Sequence, residues 1–310
     1  MITSRGEPGS IWGDTRTTPA PPGRFGTAGD PIAVGAHGHL LIAAEQFPRR
    51  GGAITRIVQL SPSGHTLSRW IPLGHGADRS AVGLTTDEEG GIFLADRRDT
   101  GVVELTPGGR LLRRWFMPHY RPPLTDGPPY APQVDGIAAA PWGSIYATAD
   151  DSLWAVSDSG WTFRVLVHGS SNVPSRHSLA QVAVEPVGRK IYAIDQERRV
   201  DVFSTTGKQL GRRQPREVCA GIVFNPVTIA VGPRGTLYVA DGDPIDQILK
   251  FSPGGRLLAR WGSRGSGPDQ FKFFFGGGLA VGPRGNVFVS DISGRLRKFS
   301  PAGRLLASWR

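Results

Sequence analysis

A unit of roughly 48 residues recurs along this 310-residue chain, and that period restricts the fold more than any single motif does. The two clearest copies lie near the C-terminal end. One reads Ile229-Ala-Val-Gly-Pro-Arg-Gly235, Leu237-Tyr-Val-Ala-Asp241, Ile248-Leu-Lys-Phe-Ser-Pro-Gly-Gly255 and Leu257-Leu-Ala-Arg-Trp261. The other reads Leu279-Ala-Val-Gly-Pro-Arg-Gly285, Val287-Phe-Val-Ser-Asp291, Leu296-Arg-Lys-Phe-Ser-Pro-Ala-Gly303 and Leu305-Leu-Ala-Ser-Trp309. Each copy is four short apolar or alternating segments separated by Pro/Gly turns, the pattern of a four-stranded antiparallel meander.

Two landmarks extend the repeat to the rest of the chain. The turn between the third and fourth segments carries Gly64, Gly109, Gly160, Gly207, Gly255 and Gly303, spaced by 45, 51, 47, 48 and 48 residues. The second segments are predicted over Leu40 to Glu45, Ile92 to Asp96, Ile145 to Asp150, Ile191 to Asp195, Leu237 to Asp241 and Val287 to Asp291, so five end in Asp and one in Glu45. One meander cannot cover both of its faces, whereas six packed radially around an axis can, leaving only short edges exposed. The first segments are small and apolar (Ile32-Ala-Val34, Ile137-Ala-Ala139, Val182-Ala-Val184), which suits the crowded innermost position. These features predict an all-β, six-bladed β-propeller of four-stranded antiparallel blades. A lead segment over 1–30 runs into a single propeller over 31–310, with blades near 31–71, 81–116, 136–167, 180–213, 227–261 and 277–310. Because the chain starts and finishes at the same point of the cycle, the last blade is expected to supply its own fourth strand.

Composition agrees, since 43 Gly and 26 Pro make more than a fifth of the chain. No run of 18 apolar residues is present and no basic-then-apolar leader is visible, so no transmembrane segment is expected and the cytoplasm is the default location. A single cysteine, Cys219, excludes an internal disulfide and a cysteine-based metal site. The net charge of +10 would attract nucleic acid, anionic lipid or an acidic protein.

The motifs Gly-Ile-Ala-Val, Pro-x-Gly, Tyr-Val-Ala-Asp, an Arg before strand three, Lys-Phe-Ser-Pro-x-Gly and Trp-Gly together resemble the NHL repeat. The resemblance covers about residues 12 to 310, tightly in the last two copies and loosely in the third and fourth. Members of that family are six-bladed propellers that mostly bind proteins or RNA, so it implies a binding or scaffold module. It also implies that the Arg before strand three pairs with the Asp ending strand two. That Arg is present as Arg56, Arg199 and Arg295, whereas Gly101, Ser152 and Gln247 replace it elsewhere. Looser hairpins are therefore expected in blades two, three and five.

Propeller topology gathers the loops between strands two and three, and those between blades, on one face. There the chain carries Arg49, Arg50, Arg97, Arg98, Arg198 and Arg199 in the hairpin loops. Tyr120 and Arg121, Arg176, and the run Gln270-Phe-Lys-Phe-Phe-Phe275 lie in the interblade loops. Basic residues interleaved with aromatics neutralise phosphates and stack bases, so RNA is one candidate partner beside a protein. The NHL resemblance implies that Phe271 occupies a position that wedges between blades, and Phe273 to Phe275 are candidate core. The opposite face is basic too, through Arg110, Arg189, Lys190, Lys208, Arg234, Arg256, Arg284 and Arg304, offset by Asp87, Glu88 and Glu89.

Enzymatic readings find fewer residues. Lactonase-like propellers hold calcium in the channel with carboxylates and asparagines, but the positions before the inner strands offer only Asp30 and Asp135, and the chain has three Asn in all. A metal-dependent lyase or hydrolase using Asp30 and Asp135 is the alternative from that class. Of the seven His, only His37 and His39 approach ligand spacing, and they fall in a turn away from the channel mouth. Neither a G-x-S-x-G elbow nor a phosphate-binding loop is present. The chain is thus expected to be a non-enzymatic binding or assembly module, without a cofactor, whose partner is a protein or a polyanion such as RNA.

Overall fold

A computed structural model describes residues 31–46, 54–72, 81–96, 101–119, 128–150, 152–156, 163–167, 181–195, 198–213, 224–273 and 276–309. They form six four-stranded sheets, each built from consecutive antiparallel strands. The all-β, six-bladed propeller is therefore the fold. Blade five shows the unit: Pro226–Val231 innermost, then Leu237–Asp241, Gln247–Phe251 and Leu257–Trp261 at the rim. Blade six repeats it with Gly277–Val281, Val287–Asp291, Leu296–Phe299 and Leu305–Trp309.

Burial follows position in the blade. The second strands of blades two, three, five and six are buried at every residue, since they are flanked by strands in their own sheet and covered on both faces by neighbouring blades. The rim strands of blades one, five and six instead alternate between half-buried and exposed, as edge strands with one side packed do. Six apolar clusters among the described residues each span one junction between adjacent blades, for example Val239 and Leu249 with Tyr192 and Val202. One of them joins Phe288 and Leu296 of blade six to Leu40 and Ile42 of blade one, so the core is continuous around the ring.

The repeated motifs acquire reasons. In blades one, two, four, five and six the turn glycine donates to the carbonyl of the Ser or Thr three residues earlier, at 2.8–3.0 Å. That same Ser or Thr hydroxyl accepts the backbone N–H of the residue after the glycine, at 3.0–3.1 Å. The turn glycine is also where the preceding blade lands. A Cβ on Gly64, Gly109 or Gly303, all at positive φ, would overlap the indole of Trp309, Trp70 or Trp261 respectively. The Lys of Lys-Phe-Ser-Pro crosses the same junctions: Lys250 Nζ donates to the Pro301 carbonyl at 2.8 Å and Lys298 Nζ to the Pro62 carbonyl at 2.9 Å.

The acid ending strand two ties down the chain entering its own blade. Asp241 accepts the Asn225 N–H at 2.7 Å, and Asp291 the Lys272 N–H at 2.9 Å. The partner of that acid differs among blades four, five and six. Arg199 pairs with Asp195 as the resemblance implies, Nε to Oδ2 at 2.7 Å. In blade six the partner of Asp291 is Arg297, fully buried, with Nη1 at 3.1 Å, and not Arg295, which donates to the Ser266 carbonyl at 2.6 Å. In blade five the Gln247 amide donates to Asp241 at 3.0 Å and takes over the arginine's task. The strand-two-to-three ladders of blades two, three and five are not looser: each runs unbroken over five residue pairs. Among the described residues no helix is long and apolar enough to cross a membrane.

Candidate functional site

The central channel is a cavity of about 530 Å3 walled by the inner strands. Its lining is dominated by Ala, Gly, Val and Ile, with Thr85, Thr86, Gln181 and Thr228 as polar side chains. Asp135 is the one ionisable residue among the described lining residues. Its backbone carbonyl accepts a long 3.5 Å hydrogen bond from Gln181. Asp30, its proposed companion, lies outside the described residues. No group of three or more His, Cys, Asp or Glu among the described residues is placed to hold a metal ion. His37 and His39 sit together in their turn with ring centroids 6.3 Å apart, and the His39 ring nitrogen meets the Gln59 amide at 3.3 Å.

On the loop face, Arg49, Arg50, Arg97, Arg98, Tyr120, Arg121 and Arg176 also lie outside the described residues. Arg198 and Arg199 are described and divide their roles. Arg199 is engaged with Asp195, whereas Arg198 is exposed at φ 59, a left-handed conformation uncommon for a side-chain-bearing residue. Phe271 and Phe273 are fully buried and stack 5.0 Å apart, so these two aromatics belong to the core. Beside them, burial pushes the Asp246 carboxyl up against the lowering effects of the Phe273 N–H and of Arg264. Burial likewise raises Asp241 more than Gln247 and Asn225 lower it. Both carboxylates serve loop geometry: Asp246 accepts the Phe273 N–H at 2.9 Å and Asp241 the Asn225 N–H at 2.7 Å.

The turn face carries a repeated set of charges among the described residues. The Ser-x-x-Gly-basic turn places Lys208, Arg256 and Arg304 at equivalent points of blades four, five and six, and Arg110 at that point of blade two. The turns between strands one and two add Arg189, Arg234 and Arg284. All seven are exposed, and none forms an ion pair among the described residues. Arg189 and Arg234 hold φ of 49° and 62°, again left-handed. Carboxylates cluster on this face at Asp87, Glu88 and Glu89 of blade two with Glu104 beside them, while in blade four the buried Glu185 accepts the Gly188 N–H of its own turn. Sequence reading found the cations but spread them over two faces; which of them lack partners depends on contacts between blades.

No protein-family model and no curated protein sequence matches the chain. Solved structures do. A catalytically inactive virginiamycin B lyase from Staphylococcus aureus, with quinupristin, is 13% identical over 93% of this chain and 84% of its own, with a TM-score of 0.58. A streptogramin B lyase is 12% identical over 91% and 95%, with a TM-score of 0.57. A Bacteroides caccae protein of unknown function is 14% identical over 87% and 92%, with a TM-score of 0.59. At such identities the likeness carries the propeller fold alone, and the NHL resemblance rests on the repeated motifs.

Proposed function

We propose that this propeller is a non-enzymatic binding or assembly module whose turn face, over blades four to six, docks an anionic surface of a partner protein. The observation that carries the reading is the array of Arg189, Lys208, Arg234, Arg256, Arg284 and Arg304, exposed and without ion pairs among the described residues. Cations without acid partners repel one another, while a complementary partner would gain both orientation and association rate from them. Hydrogen-bonded turns hold their backbones in place, so little loop ordering opposes docking. Exposed Arg198 supports a second contact on the loop face.

Affinity capture from cell extract by the full chain, compared with an Arg234→Glu/Arg284→Glu/Arg304→Glu variant, tests the reading. Partner recovery is expected to fall at least ~10-fold in the variant and to fall with salt in the wild type. Thermal unfolding of the variant is expected to match the wild type. Recovery that is unchanged by both the substitutions and salt would rule out the turn face as the docking surface. The enzymatic alternative is tested by metal analysis of the purified protein: stoichiometric calcium or zinc, lost on Asp135→Ala, would replace the binding reading.

A further inference from the structure

A second cavity opens on the turn face between blades two and three. It is a cleft of about 430 Å3 lined by Asp87, Glu88, Glu89, Glu104, Trp115 and Trp142, among others. On a chain of net charge +10, this gathers four carboxylates and two indoles around one hollow. Arg113 is the one cation in the lining. Its Nε stands 3.8 Å from Glu104 Oε2, one cation beside four carboxylates. Glu104 is only 17% exposed, so its carboxylate sits largely out of water.

The aromatic part of the lining is held rigidly. Trp115 is buried and stacks on Phe93 at 6.2 Å and 14°, fixing that wall. Trp142 is half-buried in the turn between the first two strands of blade three, and its ring already carries the Arg189 guanidinium 4.5 Å from the centroid. That contact shows the Trp142 ring accepting a cation where the fold supplies one. The cleft itself offers indoles and carboxylates together, the combination that suits a planar guanidinium: carboxylates bind its N–H fork, and rings stack on its face.

We propose that this cleft is a receptor site for an arginine side chain presented by a polypeptide, held between the Trp142 and Trp115 walls and paired with Glu104 and Glu89. A nucleic acid has no such group to offer, so the site favours a protein ligand. The proposal stands independently of the docking reading for blades four to six. If both hold, the partner carries an acidic surface and a protruding arginine.

Calorimetric titration of the full chain with the peptide acetyl-Gly-Arg-Gly-amide tests the site, with the citrulline and lysine counterparts as controls. The arginine peptide is expected to bind saturably in the micromolar to millimolar range, and the uncharged citrulline peptide at least ~10-fold more weakly. The near-isosteric Glu89→Gln/Glu104→Gln variant is expected to lose at least ~10-fold in affinity, and Arg234→Ala/Arg284→Ala to stay within about 2-fold of wild type. Trp142→Phe keeps a ring and is expected to lose less than Trp142→Leu. Absence of saturable binding, equal binding of the citrulline peptide, or unchanged binding by the Glu89→Gln/Glu104→Gln variant would each overturn the proposal. Tighter binding of the lysine peptide would overturn the assignment to a guanidinium. Failure of the turn-face capture experiment with intact peptide binding would count against the docking reading alone.

Discussion

Arg295, just before the third strand of blade six, and Arg297, on that strand, stand two positions apart, yet their side chains live in different media. Arg297 is fully buried, gives Nη1 to Asp291, and lies 5.3 Å from the Phe271 ring, while its Nε and Nη2 find no acceptor among the described residues. Removing one member of a buried pair strands the other charge. Arg297→Ala is therefore expected to cost about 3–5 kcal/mol in chemical denaturation, against under ~1 kcal/mol for Arg295→Ala, whose partners are carbonyls at the surface. Equal losses would contradict the assignment of Arg297 as the partner of Asp291.

Glu104 gives a residue-level prediction of opposite sign. Burial raises its carboxyl above the ordinary value, Arg113 lowers it less, and Asp87 adds a smaller upward push. The folded state thus keeps the Glu104 proton to higher pH than the unfolded chain does. In the window just above the ordinary carboxylate range, the native state binds more protons, so this group's contribution to stability falls as pH rises through it. Glu104→Gln removes that loss. The variant is expected to be more stable than wild type near neutral pH and no more stable in acid below that window, as read by urea denaturation at each pH. A variant less stable than wild type at neutral pH would show that the charged form makes a net favourable contact.

At the scale of the element, the turn between strands three and four does two tasks with one glycine. Gly64 lies at φ 93 and is roofed by the Trp309 indole, while Gly38, at φ 76, has only Pro62 within 3.7 Å. Both sites charge an alanine for left-handed backbone, roughly 1–2 kcal/mol. Gly64→Ala must also displace an indole, so thermal denaturation is expected to show a loss at least ~2 kcal/mol greater than for Gly38→Ala. Equal shifts would mean that the indole moves aside freely. The requirement for Gly in this turn was legible from its recurrence. That the neighbouring blade's Trp explains it was not, because Trp309 and Gly64 are separated by nearly the whole chain.

Across the whole molecule, stability resides in junctions. Each apolar cluster is shared by two blades, and the junction between blades six and one adds Trp309 over Gly64 and the Lys298 bond to Pro62. A Lys298→Met/Trp309→Ala variant is expected to loosen this junction first. Native-state hydrogen exchange would then accelerate in the strands of blades one and six before those of blades three and four. Uniform acceleration around the ring would show that the propeller opens only globally.

The blade count and the strand order were readable from the chain alone, because local hydrogen-bond chemistry recurs in every unit. Ser or Thr caps a turn, Gly supplies the left-handed residue, and an acid ends strand two to hold the entering loop. These are short-range demands, and a sequence repeats them wherever the unit repeats. Tertiary structure decided what depends on distances between units. It selected Arg297 over Arg295 as the partner of Asp291, substituted Gln247 for a missing arginine, left the turn-face cations Lys208, Arg234, Arg256, Arg284 and Arg304 without ion pairs among the described residues, and opened the cleft of Glu89, Glu104 and Trp142 between two blades. The physical reason is that side chains from neighbouring blades meet at a radius and angle set by ring closure, and no period along the chain records either.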